Sequence, residues 1–296
     1  MTARSPAAEW TLRERYEHPN GMIAYDIWGD GPPLVLVHGT PSWSYLWRNV
    51  APRLARRWRV YVYDLPGFGL SEKFEGQDVS LAKQADVLGD LLDHWGLERP
   101  RITGHDTGGT IVLRSHLLDG RQFERIALID ALALRPEDGG RWGTPWSLYL
   151  RDHGKGALPL LPAYIQRAIL RAYVRTAMAT PQADLALEPY LRPWMGEVGQ
   201  AAFYRQIEQL DVRYTDEIEP TLSETQGPVR ILWGEEDTWL EPEMALRLRD
   251  AIPEAELRFI SNAGHFVQED APGAVSLALE SFFDEATWSS STGARA

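Results

Sequence analysis

The 296-residue chain carries a formal net charge of −12, 44% hydrophobic residues, 10% aromatics and no cysteine. This acidity argues against nucleic acid or an anionic membrane surface as a partner. The missing thiols remove disulfides and thiolate metal sites. Length and apolar content support one large α/β domain with an insertion, or two small domains. No apolar run reaches the roughly eighteen residues of a spanning helix, and residues 1–10 lack a signal-peptide core. The expectation is a cytoplasmic protein with a frayed polar tail over residues 289–296.

In chain order, residues 11–30 read as two extended segments joined by a hairpin turn at Pro19-Asn20-Gly21. Leu34 to Val37 is a short continuous apolar run, which suits a strand buried on both faces. A helix is expected over 47–54 and a second buried strand over 59–63. Leu81, Val87, Leu88, Leu91 and Leu92 have helical spacing, with Ser80 as N-cap and Gly96 as the C-terminal stop. Further strands are expected at 126–130, 229–233 and 255–260, and an amphipathic helix at 273–283. Alternating strands and helices imply a mostly parallel central sheet covered by helices.

The alternation fails between Asp130 and Val229. There the pattern is helical only, and residues 134–212 are expected to form an inserted all-helical cap on a core of residues 1–133 and 213–296. Its aromatics include Trp142, Trp146, Tyr149, Tyr164, Tyr173, Tyr190, Trp194, Phe203 and Tyr204.

The chemistry is expected at Gly104-His105-Asp106-Thr107-Gly108-Gly109, between an apolar run ending at Thr103 and a helical pattern through Leu117. Glycines around one reactive side chain, between strand and helix, fit a nucleophile elbow. The reactive residue is an aspartate. A carboxylate of ordinary pKa about 3.9 is ionised near neutrality and can displace a leaving group from saturated carbon, giving an enzyme ester.

Hydrolysis of that ester needs a base and an orienting acid. Among the seven histidines, His38, His105 and His265 fall at strand ends. His265, in a glycine turn after the last strand, is the candidate base, while His38 and His105 are read as structural. Asp237 is preferred as the acid because the turn at Gly234 lets it reach across, with Asp130 as the alternative. Either choice gives the chain order nucleophile, acid, histidine found in α/β-hydrolases. The N–H groups of Thr40 and Thr107 are candidates for an oxyanion hole.

These motifs, with His38-Gly39-Thr40-Pro41-Ser42-Trp43-Ser44-Tyr45-Leu46-Trp47-Arg48 and Asp64-Leu65-Pro66-Gly67-Phe68-Gly69-Leu70-Ser71-Glu72-Lys73, carry a resemblance over nearly the whole chain. The sequence resembles the branch of the α/β-hydrolase superfamily that contains haloalkane dehalogenases and epoxide hydrolases. The resemblance implies an Asp nucleophile, a His base, a carboxylate partner and a cap over the pocket, with no metal or cofactor.

Dehalogenases of that branch usually carry Trp after the nucleophile and often Asn or Glu in the first motif; here those positions are Thr107 and Thr40. Fluoroacetate dehalogenases carry Arg where Thr107 stands. Epoxide hydrolases are similar in using one early and one late cap tyrosine to protonate the opening oxygen. Phe203-Tyr204-Arg205 resembles the late segment and Trp146-Ser147-Leu148-Tyr149-Leu150 the early one. The expected donors are therefore Tyr149 and Tyr204, with Trp146 and His153 as substitutes for the former and, with Trp43, as substrate contacts. Epoxide hydrolysis is the favoured reading. A haloalkane dehalogenase using Trp146 or Trp194 for halide is the rival, and a silent relative binding a small apolar ligand the third. The expected partners are a small apolar epoxide or halogenated substrate and water, and a homodimer is left open.

Overall fold

A computed structural model describes residues 10–136, 143–154, 156, 158–181 and 184–284. Residues 1–9, Trp142 and the 289–296 tail, on which expectations were placed above, lie outside them. The chain opens with β1 (Glu14–Tyr16) and β2 (Ile23–Trp28), an antiparallel hairpin with Tyr16 opposite Ile23. Then follow β3 (Pro33–Val37), a 3-10 segment over Ser44–Asn49, the single turn α1 (Ala51–Leu54), β4 (Arg59–Tyr63) and α2 (Leu81–Trp95). The helix expected over 47–54 is thus split. Pro52 has no N–H to return to the carbonyl of residue 48, so the ladder cannot run through. Ser80 caps α2 as expected, its hydroxyl accepting from Lys83 N at 3.3 Å, and Gly96 ends it at φ 67°.

After α2 come β5 (Arg101–His105), α3 (Thr107–Leu117) and β6 (Arg125–Ile129). The segment before the next strand holds α4 (Pro145–His153), α5 (Ala163–Arg175), α6 (Asp184–Leu191), α7 (Gly196–Glu208) and α8 (Arg213–Asp216). The chain closes with β7 (Val229–Gly234), α9 (Pro242–Ala251), β8 (Glu256–Ile260), α10 (Val267–Asp270) and α11 (Pro272–Asp284). Helix α9 is an element the apolar pattern alone does not announce.

The eight strands form one sheet in the order β1-β2-β4-β3-β5-β6-β7-β8. Only β1 and β2 run antiparallel to their neighbours; β4, β3, β5, β6, β7 and β8 are parallel. Both faces are covered, which explains the continuous apolar runs. In β3, Val35 and Val37 pack into the layer with α2 and α3, whereas Leu34 and Leu36 pack into the layer with Leu279 and Phe282 of α11. Between β6 and β7, α4 packs on α7 and α5 on α6. The inward residues of this cap, Leu170, Val174, Leu187, Trp194 and Phe203, join the first of those layers. No described helix is long and apolar enough to cross a membrane.

Candidate active site

Five parallel strands deliver their following residues to one edge of the sheet: Thr40 after β3, Asp106 after β5, Asp130 after β6, Asp237 after β7 and His265 after β8. The register explains the convergence, since Val37 pairs with Gly104 and His105 with Ile129 at the carboxyl ends. Ligand chemistry in open parallel sheets gathers at this edge.

Asp106 is held at φ 53° and ψ −123°, a backbone setting that side-chain-bearing residues rarely adopt. The glycines make that turn possible. A Cβ on Gly104 would lie 2.4 Å from the Gly108 carbonyl oxygen, and one on Gly108 would lie 2.6 Å from that of His38. The expected elbow is therefore present, with strand, helix and the β3 loop in backbone contact around it.

The Asp106 carboxylate is buried. The Thr40 N–H donates to its Oδ2 at 2.7 Å, and the Thr107 N–H also faces it. Burial is the largest influence on its acidity and raises its pKa to about 6, against the lowering effect of His265 and the two N–H donors. Both amides expected to form an oxyanion hole converge here.

His265 Nε2 lies 3.7 Å from Asp106 Oδ1, and His265 Nδ1 donates to Asp237 Oδ2 at 2.8 Å. Asp237 is fixed in turn, its Oδ1 accepting from Trp239 N at 2.7 Å and Leu240 N at 3.0 Å. Burial works against the imidazolium, but the charge and hydrogen bond of Asp237, with Asp106 and Asp130 behind, raise the His265 pKa to about 9. The resting site is therefore an Asp106 carboxylate facing a His265 imidazolium near neutrality. The arrangement can supply an attacking carboxylate, a water-activating imidazole and two oxyanion donors.

Between the two acids the structure distinguishes clearly. Asp130 does not reach His265 by hydrogen bond; its Oδ1 accepts from Gly234 N at 2.7 Å, at the root of the turn carrying Asp237. Its other oxygen is buried without a partner. Burial, and then the nearby charge of Asp237, push the pKa of its carboxyl well above the usual range. His38 and His105 are structural, as expected. His38 Nε2 accepts from Leu65 N at 3.0 Å, and His105 Nε2 donates to the His265 carbonyl at 2.8 Å. Burial lowers the pKa of both.

The cap departs from expectation. Tyr149 is 52% exposed, stacks on Trp146 and leans on His153, which is itself exposed. None of these three lines the small chamber at Asp106, which is bounded by Thr40, Thr107, Ser147, Arg151, Tyr173, Trp239 and His265, among others, although Trp146 lines the larger cavity that adjoins it. Tyr204 donates its hydroxyl to Gln166 Oε1 at 2.7 Å and lines a different cavity, with Leu150, Pro159 and Arg205. Trp43 is fully buried, its indole N–H donating to the Pro189 carbonyl at 3.0 Å, and it touches neither chamber. Trp194, the other indole considered for halide, donates to the Pro41 carbonyl at 2.8 Å. These corrections share a cause. Side chains within one helical turn diverge, and which of them faces inward is set by tertiary packing rather than by local spacing.

Two cap residues take the places left open. Tyr173 on α5 lines the chamber with Asp106, its hydroxyl beside the side chains of Thr144 and Ser147. Burial, then the Asp106 charge, raise its pKa, so it stays a proton donor throughout the working range. Its ring stacks on Trp239 at 4.7 Å and 12°. The signal was available: Gln166, Leu170, Tyr173 and Val174 are the buried stripe of α5, spaced as one helix face. Gln206 on α7, also buried, accepts a hydrogen bond from the Thr40 hydroxyl. No sequence motif announces that contact.

A family model described as the alpha/beta hydrolase fold matches residues 32–272. The chain belongs to the α/β-hydrolase family. Among curated relatives of this hydrolase, haloalkane dehalogenase 2 of Mycobacterium tuberculosis is 28% identical over 272 residues, covering 89% of this chain and 92% of that protein. The cis-3-alkyl-4-alkyloxetan-2-one decarboxylase of Xanthomonas campestris is 28% identical over 284 residues, covering 86% and 89%. Among solved structures, an alpha/beta hydrolase fold protein from Burkholderia ambifaria is 43% identical at a TM-score of 0.87, covering 91% and 97%.

Proposed function

We propose that this hydrolase opens epoxides to vicinal diols through a covalent ester on Asp106. The observation that carries the reading is the donor set at Asp106. A buried tyrosine hydroxyl, Tyr173, shares its chamber, while among the described residues no tryptophan there offers a free indole N–H: the Trp239 indole donates to Thr176 Oγ1 at 3.0 Å. A leaving halide is stable as an anion and wants N–H donors, whereas an opening epoxide oxygen becomes a strong base and wants a proton. A tyrosine can supply it.

In the first step Asp106 Oδ attacks one ring carbon, the ring C–O bond breaks, and the freed oxygen takes the Tyr173 proton. The product is a hydroxyalkyl ester. Esterification removes the Asp106 charge, which lowers the affinity of His265 for its proton; that proton passes to the Tyr173 phenolate, which restores the phenol and leaves a neutral imidazole to act as base. His265, oriented by Asp237, then takes a proton from water as the oxygen attacks the ester carbonyl. The Thr40 and Thr107 N–H groups hold the resulting oxyanion. On collapse the departing oxygen takes the proton from His265 and leaves as the diol, and the Asp106 carboxyl returns its proton to His265, restoring the resting pair.

The oxetanone decarboxylase likeness also supports a strained oxygen ring as the class of substrate, since that enzyme is named for a four-membered cyclic ester. The second reading is hydrolytic carbon–halogen cleavage by the same three residues, favoured by the likeness to haloalkane dehalogenase 2. Matched assays separate them: diol from epoxides supports the first, and halide from 1-haloalkanes at a higher kcat/KM overturns it. A protein yielding neither product, yet melting later with apolar ligands, would be a silent binding relative.

A further inference from the structure

We infer that the substrates of this hydrolase are terminal epoxides with a single extended apolar substituent, selected by a wall of two aromatic rings. The inference rests on the epoxide reading and concerns what surrounds the ring. Two cavities adjoin behind the cap. The one at Asp106 has a volume of about 40 Å³, and its neighbour about 460 Å³. Since about 10–15 Å³ on this measure holds one water, the inner chamber admits a group of only a few heavy atoms. An epoxide ring fits there and a second substituent on its far carbon does not. The remainder of the substrate must lie in the larger cavity.

That cavity is lined by Pro145, Trp146, Ile169, Ala172 and the hydroxyl-bearing Thr144, Thr176 and Thr238, together with Tyr173 and Trp239. Among the described residues no charged side chain lines it, so a carboxylate or ammonium on the substituent would lose its water for nothing. Thr144, Tyr173 and Trp239 line both cavities and form the common wall.

The wall is fixed rather than soft. Trp239 stacks on Tyr173 at 4.7 Å and on His265 at 4.9 Å. Its indole N–H donates to Thr176 Oγ1 at 3.0 Å and its backbone N–H to Asp237 Oδ1 at 2.7 Å. Swinging the indole aside to admit a disubstituted ring would break its stacking on the base and on Tyr173 and its hydrogen bond to Thr176. The same rings that carry chemistry therefore set selectivity.

The test is a kcat/KM series with 1,2-epoxypropane, 1,2-epoxybutane, 1,2-epoxyhexane, 1,2-epoxyoctane and trans-2,3-epoxyoctane. It is run on the wild type and on Ile169→Trp and Ala172→Trp, both outside the reacting groups. The expected wild-type rise is about fourfold per added methylene up to the hexane derivative, with the internal isomer at least about 100-fold below 1,2-epoxyoctane. The tryptophan variants should flatten the rise, lowering 1,2-epoxyoctane at least about tenfold more than 1,2-epoxypropane. Diol formation with no chain-length dependence, or with the internal isomer as fast, overturns this inference alone. No diol from any epoxide overturns the epoxide reading itself. Calorimetric titration with 1-octanol reads the larger cavity without turnover. Binding should weaken at least about tenfold in Ile169→Trp, and equal binding by the wild type and both variants would overturn the placement of the substituent.

Discussion

The sheet edge and the cap contribute to the same chamber by different physical routes. At the sheet edge each reactive group is held by backbone. Asp106 is fixed at φ 53° between β5 and α3, Asp237 accepts two N–H groups of its own turn, and Thr40 offers a backbone amide. In the cap each group is held by side-chain packing, as with the Tyr173 ring between Trp239 and Phe203. Backbone-held groups are local and survive changes in their neighbours. Packed groups depend on every surface that touches them.

The largest effect expected from breaking the comparison is at its backbone-held end. Asp106→Asn should remove turnover by at least about 10⁴-fold with the fold intact, since among the described residues no other carboxylate lines the chamber. Steady-state diol formation, with a circular-dichroism melt as control, measures it.

Next comes the cap. Tyr173→Phe should slow ester formation by about 10²–10³-fold in single turnover, whereas Tyr149→Phe and Tyr204→Phe should stay within about twofold. Equal losses at all three tyrosines would dissolve the distinction between chamber and cap surface.

A smaller effect should appear where the two regions meet. The Thr40 hydroxyl donates to Gln206 of the cap while its N–H donates to Asp106 at 2.7 Å, so the cap helps to set the amide. Thr40→Val and Gln206→Leu should each slow ester hydrolysis about tenfold, and the double variant by no more than either alone. Rapid-quench kinetics would read additive losses as independent roles.

Acidity sharpens the same division. Asp106 attacks only when ionised, so ester formation should fall as pH drops through about 6. His265 acts as a base only when neutral. Its pKa of about 9 in the resting site falls once the ester removes the Asp106 charge, so hydrolysis should fall away as pH drops through a value below about 9. Between the limbs the ester should accumulate, which single-turnover fluorescence or mass measurement can follow. For stability the sign runs with the histidine. A folded pKa above the ordinary 6.5 means His265 stabilises the fold fully below that pH, and the contribution is lost as pH rises through about 9.

What could be read from the sequence follows the same line. Gly104-His105-Asp106-Thr107-Gly108-Gly109 was legible because an elbow needs its glycines within a few residues, and the strands were legible because burial on both faces leaves continuous apolar runs. Asp237 was preferred over Asp130 from the freedom of the Gly234 turn, and it is the carboxylate that meets His265. The cap was legible as helical but not in its facing. Tyr149 and Tyr204 were chosen by neighbouring motif, while Tyr173 faces the chamber because α5 buries the stripe it shares with Leu170 and Val174. Gln206 was out of reach because its partner lies 166 positions away in the chain. The split of the 47–54 helix could have been read from Pro52.

The most direct measurement is the intact mass of His265→Phe after incubation with 1,2-epoxyhexane, followed by peptide mapping. An adduct equal in mass to one epoxide, on the peptide carrying Asp106 and absent from the Asp106→Asn, His265→Phe double variant, is the expected result. Diol produced by His265→Phe without any adduct, or an adduct on another residue, would contradict a covalent ester on Asp106.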